Sequence, residues 1–213
     1  MIRIKVFEFN PFMENTYVLY DETGECVIVD PGCYTAEERQ TLSGFIASEN
    51  LIPVALVNTH THVDHILGNN FIYNTYQLKP LIHKAGEIFL KSAPGHASIF
   101  GIEAEEMVLP EKYIDEGDEI RFGNSKLEVI YTPGHANGSV CLISHPDKFV
   151  LSGDVLFQGS IGRTDLPSGN FDLLAESIQQ KIYTLPGDYT VYPGHGPETS
   201  VEEERNHNPF VNA

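Results

Sequence analysis

Thr59-His60-Thr61-His62-Val63-Asp64-His65 puts four side chains able to bind a metal into six positions, directly after the apolar run Val54-Ala55-Leu56-Val57. A neutral imidazole offers a lone pair and a carboxylate offers charge. That mixture suits a borderline divalent cation such as zinc, manganese or iron better than calcium or magnesium. Three further segments end in the same chemistry: Thr132-Pro133-Gly134-His135, Ser152-Gly153-Asp154 and Tyr192-Pro193-Gly194-His195. Four segments therefore supply seven potential ligands, His60, His62, Asp64, His65, His135, Asp154 and His195, which is too many for a solvated loop that happens to be rich in histidine.

The elements that must position these groups are strands. Lys126–Tyr131, Lys148–Leu151 and Tyr189–Val191 read as strands. In each case a ligand follows a glycine at the strand end, where a residue without a β-carbon lets the chain leave the sheet. Strands are also expected at 2 to 9, 15 to 20, 25 to 30, 53 to 58, 80 to 83 and 139 to 144. Thr35-Ala36-Glu37-Glu38 is a capping box that opens a helix to about Ser48, with Leu42, Phe45 and Ile46 inward. A second helix is expected over Ile66–Tyr76. A third is expected over Phe171–Leu185, with Phe171, Leu174, Ile178, Ile182 and Leu185 on one side. The stretch from Lys91 to Glu106 lacks periodicity and reads as a loop or short helix over the site. Strands alternating with helices give an α/β fold in layers.

Composition bounds the class. The chain has 213 residues, 41% of them hydrophobic, which suffices for one well-buried domain over residues 1–213. No apolar stretch approaches the length of a membrane span, and the alternating Met1–Val6 is unlike a secretory signal, so a cytoplasmic, non-membrane protein is expected. Cys26, Cys33 and Cys141 show no paired spacing and are expected to be free thiols, with Cys33 a small buried one. A formal net charge of −17 disfavours nucleic acid and leaves small-molecule substrates open. Glu202-Glu203-Glu204 reads as a solvated face or helix start.

Together with Glu14-Asn15-Thr16-Tyr17, Val29-Asp30-Pro31-Gly32 and Glu204–Phe210, these motifs resemble the metallo-β-lactamase superfamily along nearly the whole chain. The resemblance implies an αβ/βα four-layer sandwich with the metal site at strand ends. Gly153-Asp154-Val155-Leu156-Phe157 and Gly162-Arg163-Thr164-Asp165-Leu166-Pro167 make the chain similar to the short glyoxalase II-like, hydroxyacylglutathione hydrolase-like metallohydrolases. Carried over position by position, the resemblance assigns His60, His62 and His135 to a first metal and Asp64, His65 and His195 to a second. Asp154 would bridge them. It implies two divalent ions, zinc first, with iron or manganese as alternatives. Asp30 would orient a ligand histidine by accepting its remaining N–H. Of the other histidines, His83, His96, His145 and His207 are expected to be structural or superficial, with His96 the best placed of them to meet substrate.

Two divalent cations polarise a water between them and lower its pKa to around 7, and one can stabilise the oxyanion formed on attack at a carbonyl. Asp64 is the expected catalytic carboxylate, relaying a proton after attack. The net positive charge of two ions, two carboxylates and one hydroxide favours an anionic substrate, and Arg163 is the expected substrate contact, with a structural pair to Asp165 or Asp172 as its alternative. The expected reaction is cleavage of a thioester of a small hydroxy acid. Full-length glyoxalase II carries a carboxy-terminal helical region that grips glutathione, and that region is expected to be missing, since eighteen residues follow His195. Asp165 also stands where that family commonly has tyrosine. Alternatives are a persulfide dioxygenase holding one iron through His60, His135 and Asp154, a lactonase or phosphodiesterase, and a metal-binding scaffold without turnover. Antibiotic hydrolysis is not expected, because β-lactam-opening members generally lack a bridging aspartate here.

Overall fold

Val18, Cys26, Ile28 and Leu56 alternate with Leu19, Val27, Val29 and Val57 along three neighbouring strands, and all eight are buried. A strand with both faces apolar needs cover on both sides, which dictates layers. The computed structural model describes residues 1–212. A first sheet runs in spatial order through β1 (Arg3–Phe9), β2 (Glu14–Tyr20), β3 (Glu25–Val29), β4 (Ile52–Val57) and β5 (Pro80–Leu81). Its first two pairings are antiparallel and its last two parallel. The second half supplies β6 (Glu119–Phe122), β7 (Ser125–Tyr131), β8 (Val140–Ser144) and β9 (Phe149–Gly153), then a small hairpin of β10 (Leu156–Phe157) and β11 (Ser160–Ile161), then β12 (Thr190–Pro193) and β13 (Thr199–Ser200). Its six-stranded sheet has the order β13-β12-β9-β8-β7-β6.

Leu19, Val27, Val29 and Val57 face Leu127, Val129, Leu142 and Leu151 in one core between the sheets. Behind the first sheet, α1 (Ala36–Ser48) and α2 (Asn69–Tyr76) lay Leu42, Ile46 and Ile72 on Val18, Ile28 and Leu56. Two short helices follow, α3 (Glu87–Lys91) and α4 (Ala93–Ile99). Behind the second sheet, α5 (Phe171–Ser177), a π-helical turn over Ile178–Ile182, and α6 (Val201–His207) bring Leu174, Ile178, Ile182 and Val201 onto Cys141, Val150 and Val191. The result is the expected αβ/βα sandwich. The capping box at Thr35 and Glu38 forms with both of its hydrogen bonds.

Several details differ from the sequence reading. The helix expected from Ile66 begins only at Asn69, because the Gly68 amide donates to the Pro31 carbonyl at 2.7 Å and pins the chain to the β3 exit. Before it, Val63–His65 form a single 3-10 turn. Phe171 is exposed, since it opens α5 directly after the Asn170 cap and precedes the packed stripe. Glu202–Glu204 do open a helix, yet Glu204 is buried and accepts from the Gly159 amide and the Asn208 side chain. The three cysteines are free and buried. Among the described residues, no helix is long and apolar enough to cross a membrane.

Asp21 ties the two sheets together at the edge far along the strands. Its carboxylate accepts from the Thr23 amide and hydroxyl in its own turn, and from the Asn124 amide and Ser125 hydroxyl in the β6–β7 turn, at 2.6 to 2.9 Å. Burial opposes its ionisation, but these donors outweigh burial and bring its carboxyl down to about 2. A carboxyl depressed from an unfolded value near 4 gives stability that is complete above pH ~4 and lost as pH falls through about 2. Asp21→Asn should therefore cost about 2 kcal/mol at pH 7 in chemical denaturation, with the gap to the parent closing as pH drops toward 2. A gap that stays constant with pH would show that charge is not what the turn uses.

Candidate metal centre

The seven side chains singled out in the sequence converge at one end of the sandwich, where the strands stop. β4 runs out through Asn58 and Thr59 into His60 and His62, and the 3-10 turn carries Asp64 and His65. β7, β9 and β12 deliver His135, Asp154 and His195 from the other sheet. Glycines precede the last three for different reasons. Gly153 takes φ +49°, a left-handed turn that other residues resist. Gly194 has ordinary backbone but no space: a β-carbon there would lie 2.2 Å from Asp154 Oδ1 and 2.8 Å from His65 Cε1.

Ligand atoms of His60, His62 and His135 lie within 4.8 Å of one another, as do those of Asp64, His65 and His195. Asp154 stands between the two groups. Its carboxylate oxygens are 3.5 Å from His135 Nε2, 4.0 Å from His60 Nε2, 3.3 Å from His65 Nε2 and 3.6 Å from His195 Nε2. Asp64 Oδ2 is 3.1 Å from His195 Nε2 and 3.5 Å from His65 Nε2. Buried Nε2 of His60, Nε2 of His65 and Oδ1 of Asp154 have no hydrogen-bond partner. An unmet buried polar atom costs about 1–3 kcal/mol, so several aimed at one space fit cations as their missing partners. Two neighbouring clusters of this kind support a two-metal cofactor.

The opposite ring nitrogens are fixed from behind. His135 Nδ1 donates to the Arg163 carbonyl at 2.8 Å and His195 Nδ1 to the Phe12 carbonyl at 3.1 Å; a carbonyl can only accept, so both rings carry a proton on Nδ1 and turn Nε2 toward the cluster. Asp30, itself at φ +49°, sets two more rings. Its Oδ2 faces His65 Nδ1 at 3.1 Å and accepts the Thr59 hydroxyl at 2.5 Å, while Oδ1 accepts the Thr59 amide at 2.7 Å. With its proton given to Asp30, the Thr59 oxygen, 3.2 Å from His60 Nδ1, must accept from that ring. The sequence offered Asp30 for one histidine, and the fold gives it a second through Thr59.

Burial first, then the crowd of imidazoles, holds His60 well below the usual histidine range and brings His62 down to about 4. Both therefore offer free lone pairs at neutral pH. Burial opposes ionisation of Asp64 and Asp154, but the facing His65 outweighs it and keeps both carboxyls below their usual range. The same pairing raises His65 despite its burial.

Glu14 went unnoticed in the sequence as a site residue. It is fully buried with Oε1 3.9 Å from His65 Nδ1, and burial pushes its carboxyl well above the usual range. A glutamate in a strand gives no pattern signal for this. The other histidines lie outside the cluster: His83 stacks on Tyr131, His145 meets the Tyr189 hydroxyl, and His207 sits beside Glu203. His96, on α4, lines the cavity above the cluster, which encloses about 470 Å³. Arg163 reaches that cavity too, but its guanidinium is held by both oxygens of Asp165, at 2.8 and 2.9 Å, in an exposed pair.

Residues 9–195 match the metallo-β-lactamase superfamily. A hydroxyacylglutathione hydrolase, GloC, of Haemophilus influenzae is 31% identical over 100% of this chain and 99% of its own length. Among solved structures, the B3 metallo-β-lactamase BLEG-1 superposes with a TM-score of 0.88 at 33% identity, over 99% of this chain and all of its own. TTHA1623, solved in a di-iron-bound form, gives the same TM-score at 31% identity, over 97% of this chain and all of its own. The chain belongs to the metallo-β-lactamase superfamily, and its ligand clusters on that scaffold make it a metal-dependent hydrolase.

Because Asp30 orients His60 and His65 together, Asp30→Asn should weaken metal binding about tenfold or more while leaving every ligand side chain in place. Competition with a chromogenic chelator measures this. Asparagine tolerates the left-handed backbone at this position, so the fold should persist. Affinity equal to the parent would mean that the rings need no such support.

Proposed function

We propose that this metallo-β-lactamase superfamily member is a two-metal hydrolase that cleaves a thioester of a small hydroxy acid. In this reading His60, His62 and His135 would hold one ion, Asp64, His65 and His195 would hold the other, and Asp154 would serve both. The observation that carries it is the position of Asp154, whose carboxylate lies between two complete sets of three ligand atoms. When bound, two such ions supply a water acidic enough to act as a nucleophile near neutral pH and a positive field for a developing oxyanion. The chain's own residues do the rest. Asp64, with part of its carboxylate open to the cavity, takes up the proton released on carbonyl attack. A thiolate is a weak base and leaves without a strong acid, which suits a cavity where His96 is the one further imidazole beyond the clusters. The Haemophilus hydroxyacylglutathione hydrolase supports the thioester reading. Zinc is the first candidate metal, and the di-iron form of TTHA1623 supports iron as the alternative.

β-Lactam hydrolysis is the second reading, because BLEG-1 overlaps the chain along its length. Hydrolysis of a 2-hydroxyacyl thioester and of a chromogenic cephalosporin, measured on the same preparation, ranks the two. Metal content tests the site itself. The parent should carry two ions per chain, and Asp154→Ala and His62→Ala should each lose at least one together with most activity. A single iron retained in His62→Ala, with oxygen uptake on a persulfide, would replace this proposal by a mononuclear dioxygenase.

Arg163 stands at the cavity rim for an anionic end of the substrate, and Asp165 is what that anion must displace. Arg163→Ala should raise KM for an anionic thioester several-fold and leave a neutral one nearly unchanged. Asp165→Asn, which frees the guanidinium, should lower KM for the anionic substrate. Equal effects on both substrates would make the pair purely structural.

A further inference from the structure

The cavity above the ligand cluster has a polar floor and apolar walls. One wall is Phe12, Phe89, Ile99 and Phe100, and the other includes Phe157 and Leu166. Phe12 and Phe100 meet edge to face at 5.4 Å, so the mouth is framed by aromatic rings. Ile99 is 75% exposed and Phe100, despite its contact with Phe12, 51%, which leaves large apolar surface in water beside the ligand cluster. Beyond the ligand cluster, the polar side chains on the cavity wall are His96 and Arg163, and Arg163 is already paired.

A thiol such as glutathione carries an ammonium and two carboxylates at the ends of the two peptide arms that flank its sulfur. Each would need a partner here or be stripped of water without one, at a cost. The walls supply only His96 and the already paired Arg163, and a chain of formal charge −17 adds no general attraction for an anion. A small hydroxyacyl group fills only the space next to the ligand cluster, so the apolar remainder of the cavity faces the other side of the scissile bond.

We propose, resting on the thioesterase reading above, that the thiol portion of the substrate is an apolar chain next to the sulfur, seated between α4 with Phe100 and the Phe157–Leu166 wall, with any charge confined to the Arg163 rim. The reaction stays a hydrolysis: water adds across the C–S bond, the acyl carbon keeps the oxygen, and the sulfur leaves as a thiol that carries the apolar chain away.

The test uses the metal-loaded enzyme and alkyl thioesters of one 2-hydroxy acid, with thiol chains from ethyl to octyl, beside the glutathione thioester of the same acid. kcat/KM should rise about fourfold per added methylene until the cavity is filled, and the longer alkyl thioesters should exceed the glutathione thioester. Phe100→Ser and Ile99→Ser, at exposed positions outside the buried core, should flatten that slope with metal content unchanged. Non-hydrolysable S-alkyl thioethers, measured by calorimetry, separate the two layers of the argument. Thioethers that tighten with chain length while every thioester stays intact would uphold the apolar site and sink the thioesterase reading. A glutathione thioester turned over faster than all the alkyl ones, or no chain-length slope in either turnover or binding, would overturn the apolar-carrier proposal.

Discussion

Everything in this molecule is subordinate to holding carboxylates and imidazoles together, mostly out of water, with their ligand atoms turned toward one space. In the structure His65 and Asp154 face each other as an ion pair at 3.3 Å, and His62 and His135 meet nitrogen to nitrogen at 2.8 Å. The rings are also held from behind by acceptors that fix how each one is turned: the Arg163 and Phe12 carbonyls, and Asp30 acting directly and through Thr59. Main-chain acceptors are the most rigid choice available, since a carbonyl cannot rotate away without moving its strand or loop.

That demand explains why the site lies on a seam. His60, His62, Asp64 and His65 leave the first sheet, while His135, Asp154 and His195 leave the second, so each cluster straddles the seam and its span depends on the distance between the two sheets. The apolar core sets this distance coarsely. Hydrogen bonds at the strand ends set it finely. The Val140 amide donates to the Thr59 carbonyl at 2.8 Å, the Asn15 amide to the Gly194 carbonyl at 2.8 Å, and the Tyr17 hydroxyl to the Pro193 carbonyl at 2.6 Å. Each joins one sheet to the other within two residues of a ligand or of the loop that carries it.

What the sequence revealed follows from the same physics. Ligand loops were legible because histidine and aspartate directly after strand-ending glycines have few other uses, and the first helix because Thr35 and Glu38 satisfy each other locally. Features that depend on distant contacts were not legible. The late start of α2 rests on the Pro31 carbonyl, the burial of Glu14 on the far side of the β3 turn, and the exposure of Phe171 on where the packed stripe of α5 begins. β6 is a near miss: Glu119-Ile120-Arg121-Phe122 alternates exposed and buried, but four residues with two charges carry little signal before their partner strand is known. The cavity walls were hidden for the most basic reason. Phe12, Phe100 and Phe157 lie far apart along the chain, and nothing local marks them as neighbours.

Those walls bear on the chemistry of the floor. Apolar rings around a polar cluster lower the local dielectric, and a charge–charge interaction weakens in proportion to that dielectric. In the proposed reaction, a developing oxyanion near Asp154 would therefore gain more from a cation held by these residues than the same charge would in a water-filled cleft. The same surroundings penalise a charged group placed anywhere except the floor or the Arg163 edge. In the proposed enzyme an acidic exterior and an apolar mouth would thus do different work: the first disfavours phosphate backbones, and the second would sort small molecules by where along their length their charge lies.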